Sequence, residues 1–97
     1  MVPAAAANAV RLAAKVTCPE CLAPQLSPTV DGNVLVDWTW AADHVEIEIS
    51  GDGTFEAHIR ADGAERTISS SLDDDGMLRW LAWQVTGVGA SRFTPPN

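Results

Sequence analysis

From residue 33 to residue 69, apolar and polar residues alternate with a period of two, and pairs of glycine and aspartate interrupt the alternation. Such a pattern predicts half-buried β-strands that are joined by tight turns. In the first two strands, the residues that share the apolar face are Val34, Val36, Trp38, Trp40, Val45, Ile47 and Ile49. We expect these two strands to pair in antiparallel orientation, to be joined by a link over residues 41–44 and to bury this face.

The length of the loop after the second strand follows from the face on which the next apolar residues must lie. Phe55, Ala57 and Ile59 reach the face of the preceding apolar residues only if the loop has an odd number of residues. Residues 51–53 have the sequence Gly-Asp-Gly, which predicts a three-residue hairpin loop with Gly53 in the left-handed conformation. The resulting register places Glu48 opposite Glu56 and Glu46 opposite His58.

Two further segments lie on either side of this hairpin. Asp62 and Gly63 have the sequence of a two-residue turn and predict a fourth strand over residues 64–70. Residues 17–32 contain three prolines, each of which lacks an amide donor and restricts the residue before it. We expect this strap to run extended across one end of the sheet.

A helix is predicted at each side of the sheet-forming region. Pro3 suits a first helical turn, and residues 4–16 are mostly good helix formers. Residues 77–86 carry apolar residues at helical spacing, with Ser71 as the predicted N-cap and Gly87 as the stop signal.

These elements predict one α+β domain, in which a four-stranded antiparallel meander is packed by a C-terminal helix and a short N-terminal helix. The expected divisions are the N-terminal helix (1–16), the proline-rich strap (17–32), the sheet with the C-terminal helix (33–87) and a flexible tail (88–97).

The charge balance narrows the range of partners. Six lysine and arginine residues stand against thirteen aspartate and glutamate residues, which gives a formal net charge of −7. This charge repels phosphate backbones, so we expect a basic protein surface as partner, and neither nucleic acid nor membrane. No apolar run approaches the roughly 20 residues that cross a bilayer. The apolar start precedes Arg11 and Lys15, which is the reverse of a secretory signal, so we expect a cytoplasmic protein.

Cys18 and Cys21 have a spacing that is typical of metal or thiol chemistry. Two cysteines supply half of a zinc site, and His44 and His58 could complete four ligands. The pair could also cycle as a redox-sensing dithiol, although thioredoxin-like chemistry needs a βαβ context that this pattern lacks. Inert thiols are the simplest interpretation, so we expect no cofactor, with zinc at the two cysteines as the alternative.

Four carboxylates share the predicted outward face of the sheet: Asp37, Glu46, Glu48 and Glu56. Paired carboxylates can serve glycoside hydrolysis, but a flat, solvated sheet supplies no pocket, so we do not expect an enzyme. Such a cluster can simply solubilise the surface. Held on rigid strands, it can also bind arginine and lysine side chains of a partner, and we predict partner binding here.

Trp80 and Trp83 occupy neighbouring positions of the predicted C-terminal helix, and both cannot point to the centre of one sheet. At least one of them is expected to cover the N-terminal helix or to lie in an interface. We therefore place both in the predicted partner-binding set with the four carboxylates, and we expect a homodimer through this helix.

Residues 24–38 read P..SPT.DGNVLVDW, and a spacer, VEIEI and Gly-Asp-Gly follow. This order resembles small bacterial and phage-encoded α+β proteins that have no assigned activity, over about half of the chain. The sequence departs from their pattern at Asn33, where a second glycine is usual, and at Asp37, where the acidic side chain usually has a different length. The resemblance implies the fold and a mobile-element setting, and it carries over no catalytic residue.

Charge and size together favour a non-enzymatic, acidic protein-binding module. In a mobile-element setting, such a module would be an antitoxin or a phage-encoded inhibitor of a host defence complex. It would act like an anti-CRISPR protein, by occluding a nucleic-acid-binding surface through charge complementarity. Two other interpretations stay open: a zinc-stabilised or redox-sensing module that uses Cys18 and Cys21, and a structural homodimer subunit.

Overall fold

The computed structural model describes residues 3–16, 24–40, 43–61 and 63–86; of Trp40, Ala61, Trp83 and Thr86 it describes the backbone alone. In chain order, the elements are α1 (Pro3–Val16), β1 (Gln25–Pro28), β2 (Val34–Trp40), β3 (Asp43–Ile49), β4 (Thr54–Ala61), β5 (Ala64–Ser71) and α2 (Asp75–Thr86). The five strands form one sheet in the order β1-β2-β3-β4-β5, with antiparallel pairing throughout. The α+β class and the antiparallel meander are confirmed.

The sheet has five strands, and the prediction of four was therefore wrong. The additional strand, β1, lies in the proline-rich strap and pairs with β2 from Gln25 opposite Asp37 to Pro28 opposite Val34. An edge strand uses its amide donors on one side only, so a proline is tolerated there. Residues 25–28 of the strap are thus an edge strand of the sheet, and residues 17–23 lie outside the described residues.

The strand β3 begins at Asp43, two residues earlier than predicted, so only residues 41–42 separate it from β2. The pairing places Thr39 opposite His44 and Trp38 opposite Val45. Because side chains alternate along a strand, this extension puts His44 on the same face as Glu46.

The hairpin between β3 and β4 has the predicted three-residue loop and register, with Glu48 opposite Glu56 and Glu46 opposite His58. The Ser50 amide donates to the Thr54 carbonyl over 3.0 Å, and the Gly53 amide donates to the Ser50 carbonyl over 3.2 Å. Gly53 has a φ of 90°, in the left-handed region that disfavours other residues. A Cβ atom at this position would meet nothing within 4 Å, so the backbone conformation, and not space, is what requires glycine.

The core lies on one face of the sheet, beneath the two helices. Its strand residues include Val36, Trp38, Ile47 and Ile59, each at most 1% exposed. The helix α1 contacts β2, β3 and α2. Its buried residues recur every three or four positions, as an amphipathic helix requires: Ala5, Asn8, Ala9, Leu12 and Val16. The helix α2 contributes Leu78, Trp80, Leu81 and Val85.

The N-cap of α2 is Asp74, and the prediction of Ser71 was wrong. The Asp74 carboxylate accepts a hydrogen bond from the Met77 amide over 3.0 Å, and its other oxygen accepts one from the Ser70 hydroxyl over 2.9 Å. Ser71 is the last residue of β5. A carboxylate at this position also interacts favourably with the positive end of the helix dipole.

The turn between β3 and β4 also fastens two other parts of the fold. The Asn8 side-chain amide, on α1, donates to the carbonyls of Ser50 and Gly51 over 3.0 and 3.1 Å. The Leu72 amide, between β5 and α2, donates to the Gly53 carbonyl over 2.9 Å. This turn therefore positions both helices relative to the sheet. In the described part of the chain, neither helix is long and apolar enough to cross a bilayer.

Asp52 closes the same turn with its carboxylate. One oxygen, Oδ1, accepts hydrogen bonds from the Ser50 hydroxyl, from the Thr54 amide over 3.0 Å and from the Thr54 hydroxyl over 2.7 Å. The Ser50 hydroxyl and then the two Thr54 donors lower the pKa of Asp52 from 3.8 to about 2, because they stabilise its charged form.

We predict that Asn8→Ala lowers the free energy of unfolding by about 1–3 kcal/mol, because two carbonyls of the turn lose their donor. The measurement is urea denaturation at neutral pH. Val10→Ala, on the same helix at a side chain that is 61% exposed, is the matched control and should change stability by less than about 0.5 kcal/mol. Equal effects of the two substitutions would exclude an anchoring role for Asn8.

We predict that Asp52 stabilises the fold in a pH-dependent way. Its folded pKa of about 2 lies below the unfolded value of 3.8, so its contribution is complete above pH 4 and is lost as the pH falls towards 2. Denaturation of the wild type and of Asp52→Ala should therefore differ at neutral pH and converge near pH 2. A difference in stability that is the same at both pH values would contradict this account.

Candidate protein-binding face

The side of the sheet opposite the helices, here called the polar face, presents the alternate residues of each strand. Two cross-strand rows run through its centre. The first row is Gln25, Asp37, Glu46, His58 and Thr67, and the second is Ser27, Leu35, Glu48, Glu56 and Ser69. Because most apolar residues of the strands face the helices, the polar side chains of these rows remain on the open side of the described structure, with Leu35 as the one apolar member of the two rows.

The structure brings together the four carboxylates that the sequence placed outward. Asp37 lies directly opposite Glu46, and Glu48 lies directly opposite Glu56. The first three are half-buried and Glu56 is exposed. Neighbouring strands lie about 4.8 Å apart, so the four groups form one compact patch of negative charge.

The partners that the structure gives these carboxylates are neutral or weakly basic groups. The Asn33 amide donates to Glu48 over 2.9 Å. The His58 ring nitrogen Nε2 lies 3.1 Å from Glu56 Oε1, and His44 Nε2 lies 3.7 Å from Glu46 Oε2. Neighbouring side chains on the polar face thus contact Glu46, Glu48 and Glu56.

Two open depressions lie on the polar face of the described structure. One, of about 280 Å³, is lined by polar groups that include His44, Glu46, His58, Arg60, Glu65 and Thr67. The other, of about 690 Å³, is lined by residues that include Asn33, Glu48, Glu56, Asp74 and the serines of residues 69–71. Both depressions are open, so side chains that protrude from a partner can enter them. The sequence does not predict that these serines line a depression, because a polar edge strand has no hydrophobic pattern that would set its register.

The tryptophan part of the predicted partner-binding set is placed differently. Trp80 is 8% exposed and belongs to the core, where it cannot contact a partner while α2 stays packed. This burial argues against the partner-binding role expected for Trp80, whereas the contact between α1 and α2 agrees with the other expectation, that at least one of the two tryptophans covers the N-terminal helix. The Trp83 side chain, Cys18 and Cys21 lie outside the described residues, so the predictions made for them remain predictions.

Comparison of the chain with protein-family models, with curated proteins and with solved structures finds no match. The described residues define a small α+β protein with an open, acidic sheet face.

We predict that Glu56→Gln raises the free energy of unfolding by a few tenths to about 1 kcal/mol at low salt, because like charges directly opposite each other destabilise a strand pair. The matched control is Glu65→Gln, which removes the same charge from a position opposite Arg60 and should not stabilise the fold. Urea denaturation at low and high salt measures both. A gain that persists at high salt would argue against relief of charge repulsion.

Proposed function

We propose that this protein is a non-enzymatic, acidic protein-binding module whose polar face docks on a basic surface of a partner protein. The observation that supports this proposal is the patch of Asp37, Glu46, Glu48 and Glu56 on paired strands of the open side of the sheet. Carboxylates at fixed spacing bind arginine side chains through paired, charge-assisted hydrogen bonds.

The rigidity of the strands favours a binding role for the four carboxylates over a purely solubilising one. Docking on the carboxylates requires little ordering of the backbone, because β2, β3 and β4 already hold them in register. The Asn33 amide further restricts Glu48 before any partner arrives. A net charge of −7 speeds encounter with a basic protein and repels nucleic acid from the same surface.

The size of the face sets the extent of the interface. Strands of up to eight residues, spaced about 4.8 Å apart in a five-stranded sheet, give a face of roughly 500 Å². A standard interface buries about 800 Å² on each partner, so the turns around the sheet would supply the remainder. The acidic patch would then be the centre of the contact and the turns its rim.

We further propose that the biological action of docking is to occlude the basic surface of the partner. A basic surface that attracts this face is also one that attracts nucleic acid, so a docked module would block that surface. An antitoxin, or a phage-encoded inhibitor of a host defence complex, would act in this way.

We predict that Glu46→Gln with Glu48→Gln weakens partner binding about 10- to 100-fold without lowering the melting temperature, because charge-assisted hydrogen bonds are lost at an exposed face. The matched control is Ala7→Lys with Ala14→Lys, which changes the net charge equally on the exposed side of α1. Immobilised protein is used to capture partners from source-cell lysate at about 0.05 M and 0.5 M salt, and the captured proteins are identified by mass spectrometry.

The expected result is a basic protein that the wild type and the lysine control retain at low salt, that the glutamine variant loses and that high salt releases. The purified partner should then bind nucleic acid less well when the wild-type module is added. Equal retention by all three proteins, or retention that salt does not affect, would contradict docking through this face.

A further inference from the structure

Three side chains that can ligate a metal meet where β2 and β3 pair on the polar face. Asp37 lies directly opposite Glu46, and His44 precedes Glu46 by two residues on the same strand and face. One ring nitrogen of His44 and one oxygen of each carboxylate all lie within 4.8 Å of one another. Antiparallel pairing thus holds three donor groups around one point.

The spacing of these donors is close to what a zinc ion needs. Tetrahedral zinc binds nitrogen and oxygen ligands at about 2.0–2.2 Å, which places neighbouring ligand atoms about 3.4 Å apart. His44 Nε2 and Glu46 Oε2 are already 3.7 Å apart. The three side chains are half-buried and not part of the core, so small side-chain rotations can bring the donors together without moving a strand.

The environment of His44 is an independent indication. Its Nε2 atom is inaccessible to solvent and has no hydrogen-bond partner, whereas its side chain as a whole is 27% exposed. A ring nitrogen that is removed from water without a new partner loses hydration free energy. A bond from the imidazole nitrogen to a metal ion would compensate for the lost hydration free energy.

We propose that Asp37, His44 and Glu46 form a zinc-binding site on the polar face. The two carboxylates balance the charge of a divalent cation, and the imidazole nitrogen favours zinc over magnesium or calcium. Three protein ligands leave a fourth position, which faces the open side of the sheet and takes water or a donor from another molecule. The site uses no cysteine, and it goes beyond the proposed docking function without depending on it.

The test is calorimetric titration of zinc chloride into tag-free protein that carries Cys18→Ser and Cys21→Ser, so that no thiolate contributes. We expect about one zinc ion per chain, and affinity at least about tenfold lower after His44→Ala or after the nearly isosteric Glu46→Gln. His58→Ala is the matched control, because it removes another imidazole of the same face and should leave the affinity unchanged. Circular dichroism establishes that each variant is folded.

Cobalt provides a second readout that folding defects do not imitate. Co²⁺ bound in place of zinc should give the visible absorption of a tetrahedral site, and His44→Ala should abolish it while His58→Ala retains it. Absence of binding in the cysteine-free protein, or equal losses from the two histidine substitutions, would overturn the proposal. Because no partner protein is present, failure of this test is distinct from failure of the docking proposal.

Discussion

The register of the hairpin between β3 and β4 is the constraint on which the rest of the structure depends. A three-residue loop puts Phe55, Ala57 and Ile59 on the face that Val45, Ile47 and Ile49 already occupy. A slip of one residue would turn Glu56 and His58 towards the helices, where no water could solvate them. The left-handed conformation of Gly53 allows this loop length, so one backbone conformation determines which face is apolar and which is acidic.

The same constraint creates the acidic patch of the polar face at some expense of stability. Glu48 and Glu56 are directly opposite each other, and so are Asp37 and Glu46. Like charges in these positions repel each other, and substitution by neutral residues would stabilise the strand pairs. A partner's guanidinium groups, or a cation between Asp37 and Glu46, would remove the repulsion by neutralising it. Binding and folding are therefore linked, since any ligand that binds only the folded chain also stabilises it.

Alternation of apolar and polar residues made most of the fold predictable. It identified β2, β4 and most of β3, the outward position of the four carboxylates, and the burial of Trp38, while the turn sequence at residues 62–63 identified β5. Local periodicity is a strong signal where one face of a strand is buried. It does not reveal how two helices pack against each other, so the burial of Trp80 beside the contact between α1 and α2 could not be predicted from it.

The remaining differences also have physical causes. The strand β1 was missed because prolines suppress a strand signal, although an edge strand tolerates them. The predicted N-cap at Ser71 is wrong because Asp74 has the stronger acceptor and lies directly before the helix. The triad of Asp37, His44 and Glu46 was not predicted, because a link over residues 41–44 leaves His44 outside the strand, whereas β3 begins at Asp43.

The Asn8 anchor has a consequence for the order in which the chain folds. Every strand pairs with its neighbour along the chain, so the sheet can grow from local hairpins with little loop-closure entropy. Asn8, in contrast, binds the carbonyl of a residue that lies 42 positions later. On the ribosome, α1 leaves the exit tunnel before the strands, when the turn that it docks on does not yet exist. Its apolar stripe also contacts α2, which emerges after all the strands, so α1 is among the last elements to become fixed.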